Sequence, residues 1–247
     1  ALWEFNEGSG TSANSSVGSW TGTLVNFGSP PPVNPTHPQP GWIDTPNLKG
    51  IRFGRISGNP AARVETNLPI FQQLTGKSFT LEYIASLDQV STWAPFFGQS
   101  GGCCFFFGRT HPTTAPPMSL HYNLDGLRSA NSNGINNLQD GRMHHIALVF
   151  NDTDDTMQFF VDYQPAGRYT GVTGTLNNTR PDLLWFGTVG HHTGNYQEFW
   201  PGIVDAVRIS DEALGPTQFY GYQAPAAPQP GVVAWYRFED GSGGVAQ

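Results

Sequence analysis

Three aromatic side chains set among amides are the residues of this 247-residue chain best suited to chemistry. Trp93, Tyr196 and Trp200, with Asn195, Gln197 and His192 beside them, fall in Gly-, Pro- and Asn-containing stretches that read as loops. An exposed aromatic ring offers an apolar face to the C–H surface of a sugar, and amides and imidazoles pair with its hydroxyls. The set points to carbohydrate binding, with Trp93, Tyr196, Trp200 and Asn195 as candidate contacts. Trp200 and Phe199 compete for a place in a core instead, and of the two Phe199 fits a core better.

Other chemistries find less support. His144 and His145 are neighbours on a predicted strand and point to opposite faces, so they cannot form one site. His191 and His192 lie in a Gly-containing loop without a carboxylate at metal-ligand spacing. No phosphate loop occurs. The run Asp152-Thr153-Asp154-Asp155 opens like a calcium-binding EF-hand loop but lacks its Gly and distal Glu. Cys103 and Cys104 are the only cysteines, and Gly101-Gly102 before them frees the backbone to turn. The pair is a candidate vicinal disulfide in an oxidising compartment; two buried thiols are the alternative.

These residues need elements to hold them, and composition bounds what those are. Charged residues make up 13%, about half the roughly 25% of an ordinary domain, while Gly (30) and Pro (20) supply many turns. Only Lys49 and Lys77 are lysines, so Asn, Ser, Thr and Gln dress the surface. Many turns and an uncharged polar surface describe an extracellular or cell-surface all-β protein. The net charge of −7, without a basic cluster, argues against nucleic acid as a partner. No apolar run approaches the roughly 18 residues of a membrane-spanning helix, which argues against membrane insertion.

Alternation and short aromatic runs predict strands at 2–6, 50–54, 62–65, 78–87, 95–98, 104–108, 118–123, 142–151, 156–163, 167–170, 183–187 and 202–210. The clearest is 142–163, where His145, Ala147 and Val149 alternate with Ile146, Leu148 and Phe150, then a turn at 151–155 makes a hairpin. Residues 29–46 read as a Pro-punctuated loop. A short helix is expected from Ser210, where Ser210-Asp211-Glu212 offers an N-cap and an acidic first turn.

The opening Ala1-Leu2-Trp3-Glu4-Phe5-Asn6-Glu7-Gly8-Ser9-Gly10 nearly recurs, without gaps, as Ala234-Trp235-Tyr236-Arg237-Phe238-Glu239-Asp240-Gly241-Ser242-Gly243. A Pro/Ala-rich linker at 223–230 separates this copy from a module at 1–222. Residues 231–247 are therefore expected to be the first strand of a following repeat, or a strand shared with a neighbouring copy of the chain.

Four stretches in order carry a family resemblance. They are Trp3 to Gly10, Phe79-Thr80-Leu81-Glu82-Tyr83, Arg142 to Phe150 with Phe160-Val161-Asp162-Tyr163, and Phe199-Trp200-Pro201-Gly202-Ile203-Val204-Asp205-Ala206-Val207-Arg208-Ile209-Ser210. Together they resemble bacterial laminin-G-like domains of the concanavalin A-like lectin/glucanase superfamily. The resemblance implies a two-sheet antiparallel jelly-roll sandwich, used in secreted multidomain proteins as a non-catalytic recognition module. It departs from the pattern at 93–117 and in the Pro-rich loop.

The same resemblance implies one structural Ca2+ where first and last strands meet, with Asp205 as ligand and Asn6 or Glu7 as helpers; the alternative is that Asp205 caps backbone amides. Glucanases of the superfamily carry Glu-x-Asp-x-x-Glu on one strand, and no such cluster occurs here, so no enzyme is expected. The expected function is a binding or adhesion module for a polysaccharide or glycoconjugate. A structural subunit of an extracellular filament, assembled by strand sharing, is the alternative.

Overall fold

A computed structural model describes residues 1–36, 38–55, 60–88, 94–100, 105–109, 120–124, 127, 130–131, 138–176, 182–188 and 198–223. Their strands are β1 (Leu2–Trp3), β2 (Ser12–Val17), β3 (Thr21–Val25), β4 (Gly41–Asp44), β5 (Lys49–Phe53), β6 (Arg63–Thr66), β7 (Phe79–Ala85) and β8 (Ala94–Gln99). There follow β9 (Phe105–Arg109), β10 (Leu120–Leu124), β11 (Ala130–Asn131), β12 (His144–Asn151), β13 (Thr156–Val161), β14 (Gln164–Thr170), β15 (Leu184–Phe186) and β16 (Gly202–Ser210). Among the described residues, helix is confined to α1 (Ile70–Leu74) and a 3-10 turn at Pro216–Gln218, neither long enough to cross a membrane.

The paired strands form an antiparallel two-sheet sandwich. In the first sheet β16 is central, with β7, β12, β13 and β14 following on one side and β1 and β5 end to end on the other; β4 extends from β5. The second sheet runs β2-β3-β6-β15-β8-β9-β10-β11. Because β1 also pairs with β2, the two sheets join along one side. Their inner faces meet through aromatic rings: Trp3 on Phe186 (5.1 Å), Phe53 on Phe96 (5.7 Å), Tyr83 on Phe96 (4.7 Å) and Tyr122 on Phe159 (5.8 Å). Such pairs contribute about 0.5–1.5 kcal/mol each beyond the area they bury.

The strongest predicted strand, β12, is apolar on both faces for a physical reason. Ile146, Leu148 and Phe150 enter the main core, while Ala147 and Val149 pack with Phe160 and Phe219 in a second, smaller one. That second core exists because residues 211–222 fold back over the outer face of the first sheet. Glu82 on β7, 1% exposed, anchors them. It accepts from Arg208 Nε (2.5 Å), His145 Nε2 (3.0 Å) and the Tyr220 N–H (3.0 Å), and Arg208 also donates to the Gln218 carbonyl (2.7 Å). His145 is stacked on Tyr163 (4.4 Å) and Phe219 (5.1 Å).

The helix expected from Ser210 does not form. Ser210 closes β16, and Thr80 Oγ1 donates to the Glu212 carbonyl (2.7 Å) and accepts from the Leu214 N–H (3.0 Å), holding this segment extended against β7. The first strand is shorter than expected because Phe5 adopts φ 46°, outside the β region. The linker and the repeated segment at 231–247 lie outside the described residues.

At the β13–β14 turn, Asp162 and Tyr163 both have positive φ (50° and 65°), as a two-residue hairpin turn requires. The Asp162 side chain accepts from the His145 N–H (3.1 Å) and reaches His144 Nδ1 (2.8 Å), whose Nε2 lies 3.0 Å from Asp140. The hydrogen bond to Asp162 raises the His144 pKa; burial opposes it and Asp140 adds to it.

Two outcomes follow from these contacts. Glu82→Ala leaves a buried imidazole and guanidinium without their acceptor, and urea unfolding is expected to show a loss of about 3–5 kcal/mol. A loss within about 0.5 kcal/mol makes Glu82 dispensable. For His144 the folded pKa lies above the ordinary value, so its contribution is full below about pH 6.5 and disappears as pH rises through the raised pKa. Unfolding measured across that range is expected to show about 0.2–1 kcal/mol of pH-dependent stability that His144→Gln removes.

Candidate functional site

Antiparallel pairing between β15 and β8 decides where the predicted sugar contacts are anchored. Phe186 pairs with Phe97, and the Gly187 N–H donates to the Phe96 carbonyl (2.7 Å), so the chain leaves β15 beside the start of β8. Thr188 bridges to Phe199, its hydroxyl donating to the Glu198 carbonyl (2.6 Å), which closes residues 189–197 at this end. Ala94 pairs with Arg109, and Arg109 with Leu120, so residues 110–119 are anchored here too. The Ala62 N–H to the Gly54 carbonyl (2.9 Å) closes 55–61 at the same end.

Trp93, Asn195 and Tyr196 lie outside the described residues, but the residues that flank them, Ala94 on one side and Thr188 and Glu198 on the other, share one end of the second sheet. Cys103 and Cys104 are likewise outside the described residues. Their flanks belong to the opposite end, where the Ser100 N–H donates to the Leu183 carbonyl (3.0 Å).

Trp200 is a correction. It is 0% exposed, its Nε1 donates to the Ser86 carbonyl (3.1 Å), and its ring meets Tyr83 (5.4 Å) edge-on, so no face is left for a ligand. Phe199, expected in the core, is instead partly exposed at the loop end. Alternation on a strand tells which neighbours share a face but not which face points inward; Gly187 and Ser86 settle that here by pinning both edges of Trp200. Sequence reasoning also missed a cluster of polar contacts around Asp88. Arg52 and Asp88 form a mostly buried ion pair (2.8 Å), and Gln139 Nε2 donates to the Asp88 carbonyl (3.2 Å). Nothing in the local sequence links three residues so far apart.

The predicted metal ligands do not assemble as expected. Asp205 is the extra residue of a bulge between Val204 and Ala206, where β16 slips against β7. Burial, and then repulsion from Glu4, raise its pKa. Glu4 accepts from the Tyr220 hydroxyl (2.9 Å), and burial together with that bond pushes the Tyr220 pKa up to about 12, keeping the phenol a donor. Glu7 accepts from the Asn14 N–H (2.7 Å), and Asn6 is exposed. Calcium takes six to eight oxygens as a rule, and among the described residues no three acidic, His or Cys side chains gather around one point. The acid that acts on Asp205 is Glu4, not Glu7.

Comparison with known proteins agrees with this architecture. Domain 4 of AbnA, an extracellular arabinanase from Geobacillus stearothermophilus solved in complex with arabinotriose, superposes with a TM-score of 0.59 at 13% identity, covering 88% of this chain and 94% of that one. A mutant of Trypanosoma rangeli sialidase with trans-sialidase activity gives 0.54 at 13% identity, over 88% of this chain but 31% of its own length. None of the curated proteins compared with the chain matches it. The family model described as the concanavalin A-like lectin/glucanases superfamily, of laminin G type, matches residues 58–218. Since that match spans more than half of the sequence, from just before β6 to the 3-10 turn, the chain belongs to the laminin G-like family of the concanavalin A-like lectin/glucanases superfamily.

Proposed function

We propose that the chain is a non-catalytic, carbohydrate-directed binding module of an extracellular protein, and that it takes its ligand at the loop end of the second sheet. The observation that carries this reading is that the residues flanking Trp93 and Asn195-Tyr196 share one end of the second sheet, beside partly exposed Phe199. The outer face of the first sheet is a poor alternative, because residues 211–222 cover it. The arabinotriose held by the similar arabinanase domain supports a polysaccharide or glycoconjugate as ligand. A non-catalytic role is supported by Glu82, whose carboxylate is committed to Arg208, His145 and Tyr220 and is sealed from substrate.

Binding is expected on an array of plant and bacterial glycans that includes arabino-oligosaccharides. Trp93→Ala or Tyr196→Ala is expected to weaken it at least about tenfold with unchanged melting temperature. A blank array, or binding indifferent to both changes, sinks the proposal. Sugar release that Glu4→Gln or Asp205→Asn abolishes overturns the non-catalytic reading.

A narrower role for calcium is proposed as well: a structural ion held by Asp205 and Glu4, completed by backbone oxygens. The half-buried like-charged pair favours it, since a cation relieves their repulsion. Chelator is expected to lower the melting temperature, by about 2–4 °C for each kcal/mol the ion supplies, and Asp205→Ala is expected to erase the difference. A melting curve indifferent to chelator leaves Asp205 as a bulge residue alone.

A further inference from the structure

The slot of the first strand is known in detail, and the sequence holds a second segment written for it. Leu2 and Trp3 pair with Arg208 and Val207 on one side and with β2 on the other. Trp3 and Phe5 are buried against Phe186, while Leu2 and Glu4 face outward. Beyond Phe5 the backbone needs positive φ at Gly8 (70°) and Gly10 (91°), and a Cβ at Gly8 meets the Asp44 carboxylate at 3.0 Å.

Residues 234–243 meet each of these demands. Phe238 matches Phe5, whose φ is 46°, and Gly241 and Gly243 match Gly8 and Gly10. Tyr236 supplies an aromatic ring for the buried Trp3 position, and Glu239 and Asp240 replace Asn6 and Glu7 in the turn. The two changes at the outward positions of the strand improve the fit. A groove of about 520 Å³, lined among others by Leu2, Val17, Gln218 and Tyr220, runs along the outside of β1, and Trp235 replaces Leu2 beside it. Arg237 replaces Glu4, which places a cation next to Asp205 in exchange for a like charge.

We propose that residues 234–243 are a strand for the first-strand slot of a second copy of this chain, where Arg237 pairs with Asp205 and Trp235 fills the groove beside Tyr220. One slot cannot hold two strands, so the incoming segment displaces residues 1–10 of its acceptor. The acceptor's own strand is covalently attached and competes at high effective concentration, which makes the exchange concentration-dependent. Donated head to tail, the contact extends; exchanged reciprocally, it closes a dimer.

Sedimentation of the full chain over a wide concentration range tests this. The wild type is expected to self-associate, Phe238→Asp to stay monomeric, and Arg237→Glu to associate at least about tenfold more weakly. Both changes leave residues 1–223 untouched, so an unchanged melting curve separates lost association from lost folding. Adding Asp205→Arg and Glu4→Arg to Arg237→Glu, which reverses every charge of the set, is expected to restore association. A wild type that stays monomeric at every concentration overturns the proposal. Association that survives Phe238→Asp overturns it too, as does a folded triple variant that associates no better than Arg237→Glu alone.

Discussion

One buried carboxylate organises the outer half of this molecule. Glu82 sits on the outer face of the first sheet, beneath the returning chain and without access to water, a position that is tolerable only when its oxygens are matched by donors and a countercharge. The donors come from three places: β12 through His145, β16 through Arg208, and the returning chain through the Tyr220 N–H. Satisfying the charge therefore brings the returning segment onto the sheet, and Phe219 and Tyr163 then stack around His145. The apolar outer face of β12 and β13 is a consequence of that lid. One broad face of the sandwich is closed in this way.

A short distance away the same sheet treats charge differently. Arg208 gives Glu82 a full countercharge, whereas Asp205 and Glu4 share a half-buried neighbourhood with a single phenol donor, Tyr220. The first arrangement is electrostatically closed. The second is open to a positive group, whether an ion or a side chain from elsewhere, and two separate proposals meet at it for that reason.

The fold was legible in the sequence where large apolar side chains recur along a strand, on one face or on both. β7, β12, β13 and β16 fall within or match the predicted spans because both their faces are informative. β2 (Ser-Ala-Asn-Ser-Ser-Val), β3 (Thr-Gly-Thr-Leu-Val) and β4 (Gly-Trp-Ile-Asp) were not legible, since each is short and poor in large apolar side chains. β4 lies inside the stretch read as a Pro-punctuated loop, with Trp42 buried in the core, and is tied to that stretch through the Trp42 N–H to the Pro32 carbonyl (2.9 Å) and the Asn34 N–H to the Trp42 carbonyl (2.7 Å). Of the site, the sequence disclosed residue types but not their depth. Trp200 and Phe199 exchanged places, and Glu4 took the part foreseen for Glu7, because a bulge at Asp205 alters which neighbours face it.

The outermost strand of the first sheet, β14, pairs only with β13 among the described residues and so presents an open row of backbone groups. Such a row is a template for fibril growth and indiscriminate strand capture. Pro165 removes one N–H from it, and the register shift between Phe159 and Phe160 bends it away from a flat docking geometry. The chain can then stay clear of amyloid-like stacking without sacrificing sheet size. It is also spared promiscuous partners, so that any contact between copies is left to a slot that reads sequence rather than to an edge that reads only backbone.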